Sequence, residues 1–374
     1  MKITIIGWYG TETIGDRAIL AGLFYLLGKR SESFDVQIGC LNPLLTKRTI
    51  FEDICFYKRI SNNQLIGINL FDSRIKSQLD KSIRWSDVLI LGGGPLMGIN
   101  EMYMLKYAFQ YARREKKRSI VFGCGMGPFN GSEFEKVACD IINIADYAIF
   151  RDRKSKEIYE SLSGKKINTI SVIDPAVFAA HYYKQENNKT GGEEEYIACN
   201  FRDATSEYKG NERSTSQFFS SELIRLSQVC DLPIKLVPMH SFDMGGDDRY
   251  FLNKIKRLSG LPNVTVFNKP TSLEETMEVY MNAKYCVGMR FHSILLQFIL
   301  NGANYIYDYT NPQKGKIVNL LHQLNIEGKL DGRYMSLVTG EGSIDFAKNI
   351  DALVIDNSLI SQYENNYLSI INNL

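Results

Sequence analysis

Gly288-Met289-Arg290-Phe291-His292-Ser293 is the segment of this 374-residue chain whose residue types and spacing carry the most chemistry. It falls where an apolar strand pattern ends and an apolar helix pattern, residues 294–300, begins. Arg290 and His292 are two apart, so in extended geometry they project to the same side. A helix N-terminus just beyond them favours anions, and Ser293 is a candidate cap. A guanidinium, an imidazole that titrates near neutral pH and a positive helix end suit an anionic substrate and a proton transfer. The bland reading is an arginine and a histidine that satisfy nearby carbonyls. Of the four histidines, His292 is the one in this context, which favours the functional reading.

Three glycine clusters follow strand patterns: Gly7 to Gly15-Asp16, Gly92-Gly93-Gly94-Pro95, and Gly123-Cys124-Gly125-Met126-Gly127-Pro128. Glycine lets backbone N–H groups approach a ligand closely, and three such turns on one sheet edge outweigh the reading of simple tight turns. No GxGxxG with an acidic partner and no GxxxxGK[ST] occurs, so NAD and P-loop readings fail. Arg151 follows a strand pattern in Arg151-Asp152-Arg153, and Arg202 ends another. Lys314 and Lys316 follow a third and are placed to reach a phosphate or simply to be solvated. Asp174-Pro175 reads as a turn. His240 and Asp243, with Asp247 and Asp248, are too irregular a set for a metal site. The run from Arg113 to Arg118 reads first as a solvated helix end and second as a contact for an anionic membrane surface.

These residues need a frame. Strand patterns at 2–7, 87–91, 119–123, 147–150 and 169–173 alternate with helical ones such as 16–29 and 102–114, which predicts βαβ units around a parallel sheet. Residues 41–82 fit no clear period and are read as loosely structured. A polar, glycine-containing stretch at 185–195 reads as a linker. The rhythm then restarts, with strands at 196–201, 233–238, 263–267, 284–289 and 304–307. The predicted organisation is a Rossmann-like domain over 1–184, the linker, a second Rossmann-like domain over 196–356 and a C-terminal helix over 357–374. Two such α/β domains facing across a cleft would bind ligands at their strand carboxyl ends.

Composition narrows the classes. The 44 Lys and Arg balance 42 Asp and Glu, which gives no electrostatic reason for a nucleic-acid partner. No apolar run reaches the length of a bilayer span. Seven cysteines with no CxxC pair read as reduced thiols in a cytoplasmic protein rather than as a disulfide or zinc framework.

Taken together, the motifs resemble those of the polysaccharide pyruvyl transferases. The resemblance rests on Gly15-Asp16 with Ala18-Ile19-Leu20, Leu91-Gly92-Gly93-Gly94, Gly125-Met126-Gly127-Pro128, Arg151-Asp152 with Ser155, Asp174-Pro175-Ala176 and the segment Gly288 to Ser293. This chain has Thr13-Ile14 where the family has Asn before the Gly-Asp pair. The resemblance implies a GT-B-like fold and transfer of a pyruvyl group from phosphoenolpyruvate to two hydroxyls of a saccharide. The product would be a cyclic ketal on a cell-surface polysaccharide or its lipid-linked precursor, made at the inner face of the membrane. His292 and Arg290 would be catalytic. Arg151, Arg290, Ser293 and Lys314 or Lys316 would hold the donor. Gly15, Asp16, Gly92, Gly93, Gly94 and Arg202 would line the acceptor side. No metal or redox cofactor is implied; phosphoenolpyruvate is the co-substrate. Two other readings stand beside it: a nucleotide-sugar glycosyltransferase of the same architecture, with Arg290 and Lys316 on a diphosphate, and a non-catalytic saccharide- or anion-binding protein.

Overall fold

The computed structural model describes residues 1–11, 13–30, 32–163, 169–187, 195–204, 215–242, 246–311, 315–348 and 350–373. Most of the expected linker and Lys314 lie outside the described residues. The chain divides into two compact units, one of residues 1–12, 16–179 and 357–374, the other of residues 13–15 and 180–356.

The first unit is built on a parallel sheet. Its strands run, in spatial order, Leu65–Asp72, Phe34–Cys40, Lys2–Ile6, Val88–Gly92, Arg118–Met126, Tyr147–Phe150 and Thr169–Ser171, with short Pro95–Leu96 beside Arg118–Met126. Central strands such as Val88-Leu89-Ile90-Leu91 are buried on both faces, as a sheet covered by helices on each side requires. The order reverses between Lys2–Ile6 and Val88–Gly92. Gly7 and the Gly92–Gly94 loop leave the sheet there, and a Cβ on Gly7 would lie 2.2 Å from the Gly92 carbonyl oxygen. The C-terminal helix Asn357–Ile371 returns to this unit. Tyr367 donates its hydroxyl to the Ile173 carbonyl at 2.6 Å and packs on Phe122 and Phe178.

Residues 41–82, expected to be loose, are ordered as helix Pro43–Ile60, strand Leu65–Asp72 and helix Lys76–Trp85. The period was hidden because the first helix mixes the two patterns. Its buried face carries Thr46, Thr49 and Asp53 along with Phe56, Tyr57 and Ile60, while Leu44 and Phe51 are exposed. Asp53 is tolerated there because Arg17 donates both Nε and Nη2 to its carboxylate and the Tyr57 hydroxyl adds a third bond.

The second unit repeats the architecture with strands in the order Val264–Val266, Ile234–Leu236, Ile197–Cys199, Tyr285–Gly288, Asn304–Asp308, Arg333–Ser336 and Gly342–Ile344. All pairs are parallel except the last. Each unit is therefore a Rossmann-like doubly wound sheet. Helix Phe291–Leu300 is buried along almost its whole length, which explains why its sequence is mostly apolar. Gly288 lets it pack: a Cβ there would meet Gln297 Oε1 at 2.6 Å and Ile294 Cγ1 at 2.8 Å. In this second sheet the order reverses between Ile197–Cys199 and Tyr285–Gly288.

Candidate functional site

Open α/β sheets bind ligands beyond the strand carboxyl ends where the strand order reverses. In the second unit that point is held by Asn200. Its backbone N–H donates to the Val287 carbonyl at 2.8 Å, its amide donates to the Val237 carbonyl at 2.9 Å, and its side-chain oxygen accepts the Arg290 N–H at 3.1 Å. Arg202 leaves one of the two strands and Arg290 the other.

Arg290 is already engaged. Its Nε donates to both oxygens of Asp248, at 3.0 and 2.8 Å, and Nη2 adds a third bond. Asp248 also accepts the backbone N–H groups of Met239 and His240, at 3.0 and 3.1 Å. Burial works against the Arg290 charge, but Asp248 outweighs it and holds the guanidinium above its ordinary pKa. Ser293 donates its hydroxyl to the Arg290 carbonyl at 2.9 Å, within its own helix turn. Arg290 and Ser293 thus build the wall of the site, and the guanidinium expected on a donor is closed on Asp248.

Further positive charge faces the strand ends. Tyr309 directly follows strand Asn304–Asp308 and is buried. The Arg202 guanidinium carbon stands 4.8 Å from the centre of its ring, and Lys316 Nζ stands 5.4 Å from it. Lys316 opens helix Lys316–Gln323, so a helix N-terminus adds to the field. Burial alone would push the Tyr309 phenol up. Lys316, Arg202 and Arg290 together overcome that and bring it below its ordinary 10.0. Next to it, Asp308 is pushed up by burial and is held by the Thr310 N–H and hydroxyl and the Tyr334 hydroxyl.

This arrangement predicts an ultraviolet titration in which the Tyr309 phenolate appears ahead of the other buried tyrosines, and in which Tyr309→Phe abolishes that first step. Because the folded-state pKa is depressed, ionisation stabilises the fold fully above 10.0, and that stabilisation is lost as pH falls through the folded-state pKa. Parent and Tyr309→Phe should therefore diverge in alkaline solution. An unchanged titration in the variant would contradict the assignment.

His292 lies in the first turn of helix Phe291–Leu300. A Cβ on Gly15 would sit 2.0 Å from its Nδ1, so only glycine lets the imidazole occupy that place. Residues 13–15 group with the second unit for this reason and two others: Thr13 bridges to His240, and the Ile14 N–H donates to the Met239 carbonyl at 3.0 Å.

The remaining expected residues are in the first unit. Arg151 is buried between Asp174 at 3.6 Å and Asp152 at 3.7 Å, with its guanidinium packed on Gly125. Ser155 accepts the Met126 N–H at 2.9 Å and donates its own N–H to Asp152 at 2.7 Å. Three of the short motifs thus form one internal lattice, and Arg151 serves it. Asp16 accepts from the Thr11 hydroxyl at 3.3 Å and lies against Gly93, while Gly94 abuts Trp8. Burial first, then Asp16 and Cys124, push the Tyr9 phenol well up beside Gly92. Among the described residues no group of three His, Cys, Asp or Glu could hold a metal ion, and no helix is long and apolar enough to cross a membrane. Sequence reasoning passed over Tyr309, Asn200 and the role of Asp248. Tyr309 had a readable signal, an aromatic residue between a strand end and a helix-opening lysine.

Two arginines, a lysine and a histidine thus stand about the strand-order reversal of a Rossmann-like sheet. The chain belongs to the polysaccharide pyruvyl transferase family, whose model matches residues 14–301. No curated protein matches it. Among solved structures it is similar to UDP-GlcNAc 2-epimerase from Methanocaldococcus jannaschii, at TM-score 0.61 and 11% identity over 100% of both chains. The same enzyme in complex with UDP-GlcNAc and UDP matches at TM-score 0.57 and 13% identity, again over 100% of both. HepE from Anabaena in complex with UDP and glucose matches at TM-score 0.54 and 11% identity over 99% of this chain and 94% of that one. These likenesses establish the fold, two Rossmann-like α/β domains of the GT-B-like class.

They also correct the activity expected from the motifs. The full-chain matches are to UDP-GlcNAc 2-epimerases and UDP complexes, not to a pyruvyl transferase that uses phosphoenolpyruvate. Within the chain, both arginines expected on that donor, Arg151 and Arg290, have their guanidinium groups committed to Asp152, Asp174 and Asp248. Phosphoenolpyruvate as co-substrate and partner, and ketal-forming pyruvyl transfer as the reaction, are set aside on these findings.

Proposed function

We propose that this chain binds a nucleotide sugar in its second unit and changes the configuration of the sugar. The observation that carries the reading is the pair of cations over Tyr309, at the mouth of a strand-order reversal and beside a helix N-terminus. A diphosphate needs several hydrogen-bond donors and positive charge spread over a few ångströms. Arg202, Lys316 and the Tyr309 hydroxyl supply both. The complexes with UDP and UDP-GlcNAc in proteins of this fold support that class of ligand. Inversion beside the carbon that bears the diphosphate balances when a base takes the C2 proton as the C1–O bond to the diphosphate breaks, which leaves a C1–C2 double bond and bound UDP. Protonation of C2 on the opposite face, with UDP re-forming the bond to C1, completes it. His292, positioned by Gly15, is the group we assign to proton transfer. Arg290, Ser293 and Asn200 position it. A nucleotide-sugar substrate, and seven cysteines with no CxxC pair, support a cytoplasmic location.

The test is incubation of the protein with UDP-N-acetylglucosamine in deuterated water, followed by NMR. Deuterium at C2 together with the inverted product is the expected result. A panel of nucleotide sugars recovered without exchange, inversion or release of UDP would contradict the reading.

A further inference from the structure

We propose that the outer face of helix Pro43–Ile60 is a docking surface for an anionic lipid bilayer. At about 100° per residue, Leu44 and Phe51 fall within roughly 20° of one line along the helix. Both are thrown open to solvent, 79% and 82% exposed. On the same geometry Lys47 and Lys58 flank that line on one side and Arg48 and Arg59 on the other, each about 40–60° away. An apolar ridge between two rows of long cationic side chains is the pattern of a helix lying in the headgroup plane: the ridge enters the acyl boundary while the stems reach out to phosphates.

The acids of the helix do not disturb this face. Asp53 is fully buried on Arg17, and Glu52 is taken by Arg17 and Arg48, at 3.2 and 2.7 Å, which spends the Arg48 charge and leaves Lys47, Lys58 and Arg59 as the cations offered to the surface. What the helix shows to solvent is therefore apolar or positive. The polar residues that would normally face water, Thr46 and Thr49, are turned inward. Phe56, Tyr57 and Ile60 are buried with them as the core-facing residues, so Leu44 and Phe51 are apolar side chains left outside the core-facing stripe. A protein partner would also accept an exposed leucine and phenylalanine. Cations on both flanks, with the acids neutralised behind them, instead match a uniformly negative plane.

The full chain should co-sediment with vesicles of phosphatidylcholine containing a third phosphatidylglycerol and not with phosphatidylcholine alone, and salt should weaken binding. Leu44→Ser with Phe51→Ser, and separately Lys47→Glu with Lys58→Glu, should each lower partitioning roughly tenfold or more. Circular dichroism and melting temperature should match the parent, since these side chains are exposed. Failure to bind anionic vesicles, or binding that neither pair reduces, would overturn the proposal. So would a dimer seen by light scattering that Phe51→Ser dissociates, because the face would then belong to a second copy.

Discussion

His292→Gln is expected to slow deuterium exchange into a nucleotide sugar by about 10²–10⁴-fold, the usual worth of a positioned acid–base group. Glutamine keeps approximate size and hydrogen-bonding capacity but has no proton that titrates near neutrality. Nucleotide affinity should hardly change, because the site proposed for the diphosphate is formed by Arg202, Lys316 and Tyr309 rather than by the imidazole. A folded variant that exchanges at the parent rate would remove His292 from the chemistry. One that loses affinity and rate together would make it a binding residue.

Asp248→Ala is expected to cost about 3–5 kcal/mol of folding stability, the range for stranding one charge of a buried pair. Asp248 is 3% exposed at its side chain and closes the Arg290 guanidinium. It also accepts two backbone N–H groups, from Met239 and His240, that would lose their partner. Met239 in turn receives the Ile14 N–H, so residues 13–15 and the seat of His292 should loosen as well. Urea unfolding of the second unit measures the cost. A double replacement by apolar residues of similar size, Asp248→Leu with Arg290→Met, should recover much of the loss. A cost under 1 kcal/mol for Asp248→Ala would mean that Arg290 finds solvent or another acid.

The strand–helix rhythm was legible because the central strands are apolar and short, and because helices such as Phe291–Leu300 have no polar face to confuse. The turn from Gly288 to Ser293 was legible for the same reason: a glycine that packing demands, followed by a cation and a histidine at a helix start. Helix Pro43–Ile60 was not, since Thr46, Thr49 and Asp53 interrupt its buried stripe while Leu44 and Phe51 lie outside it. Strand Leu65–Asp72 was hidden by its edge position and by Gly67 and Asn69. The partner of Arg290 lies 42 residues away, and no local pattern reports which acid the fold will bring to an arginine. That missing pair is why the arginine looked available to a ligand. Arg151 misled in the same way, its acids Asp152 and Asp174 being one residue and one strand away.

The central claim is that a diphosphate sits on the cations around Tyr309, and calorimetric titration with UDP tests it most directly. The parent should bind, and Arg202→Ala and Lys316→Ala should each weaken binding roughly 10–150-fold, or about 1.5–3 kcal/mol for a lost hydrogen bond to a charged group. UDP that does not bind the folded protein, or that binds the parent and both variants equally, would contradict the account.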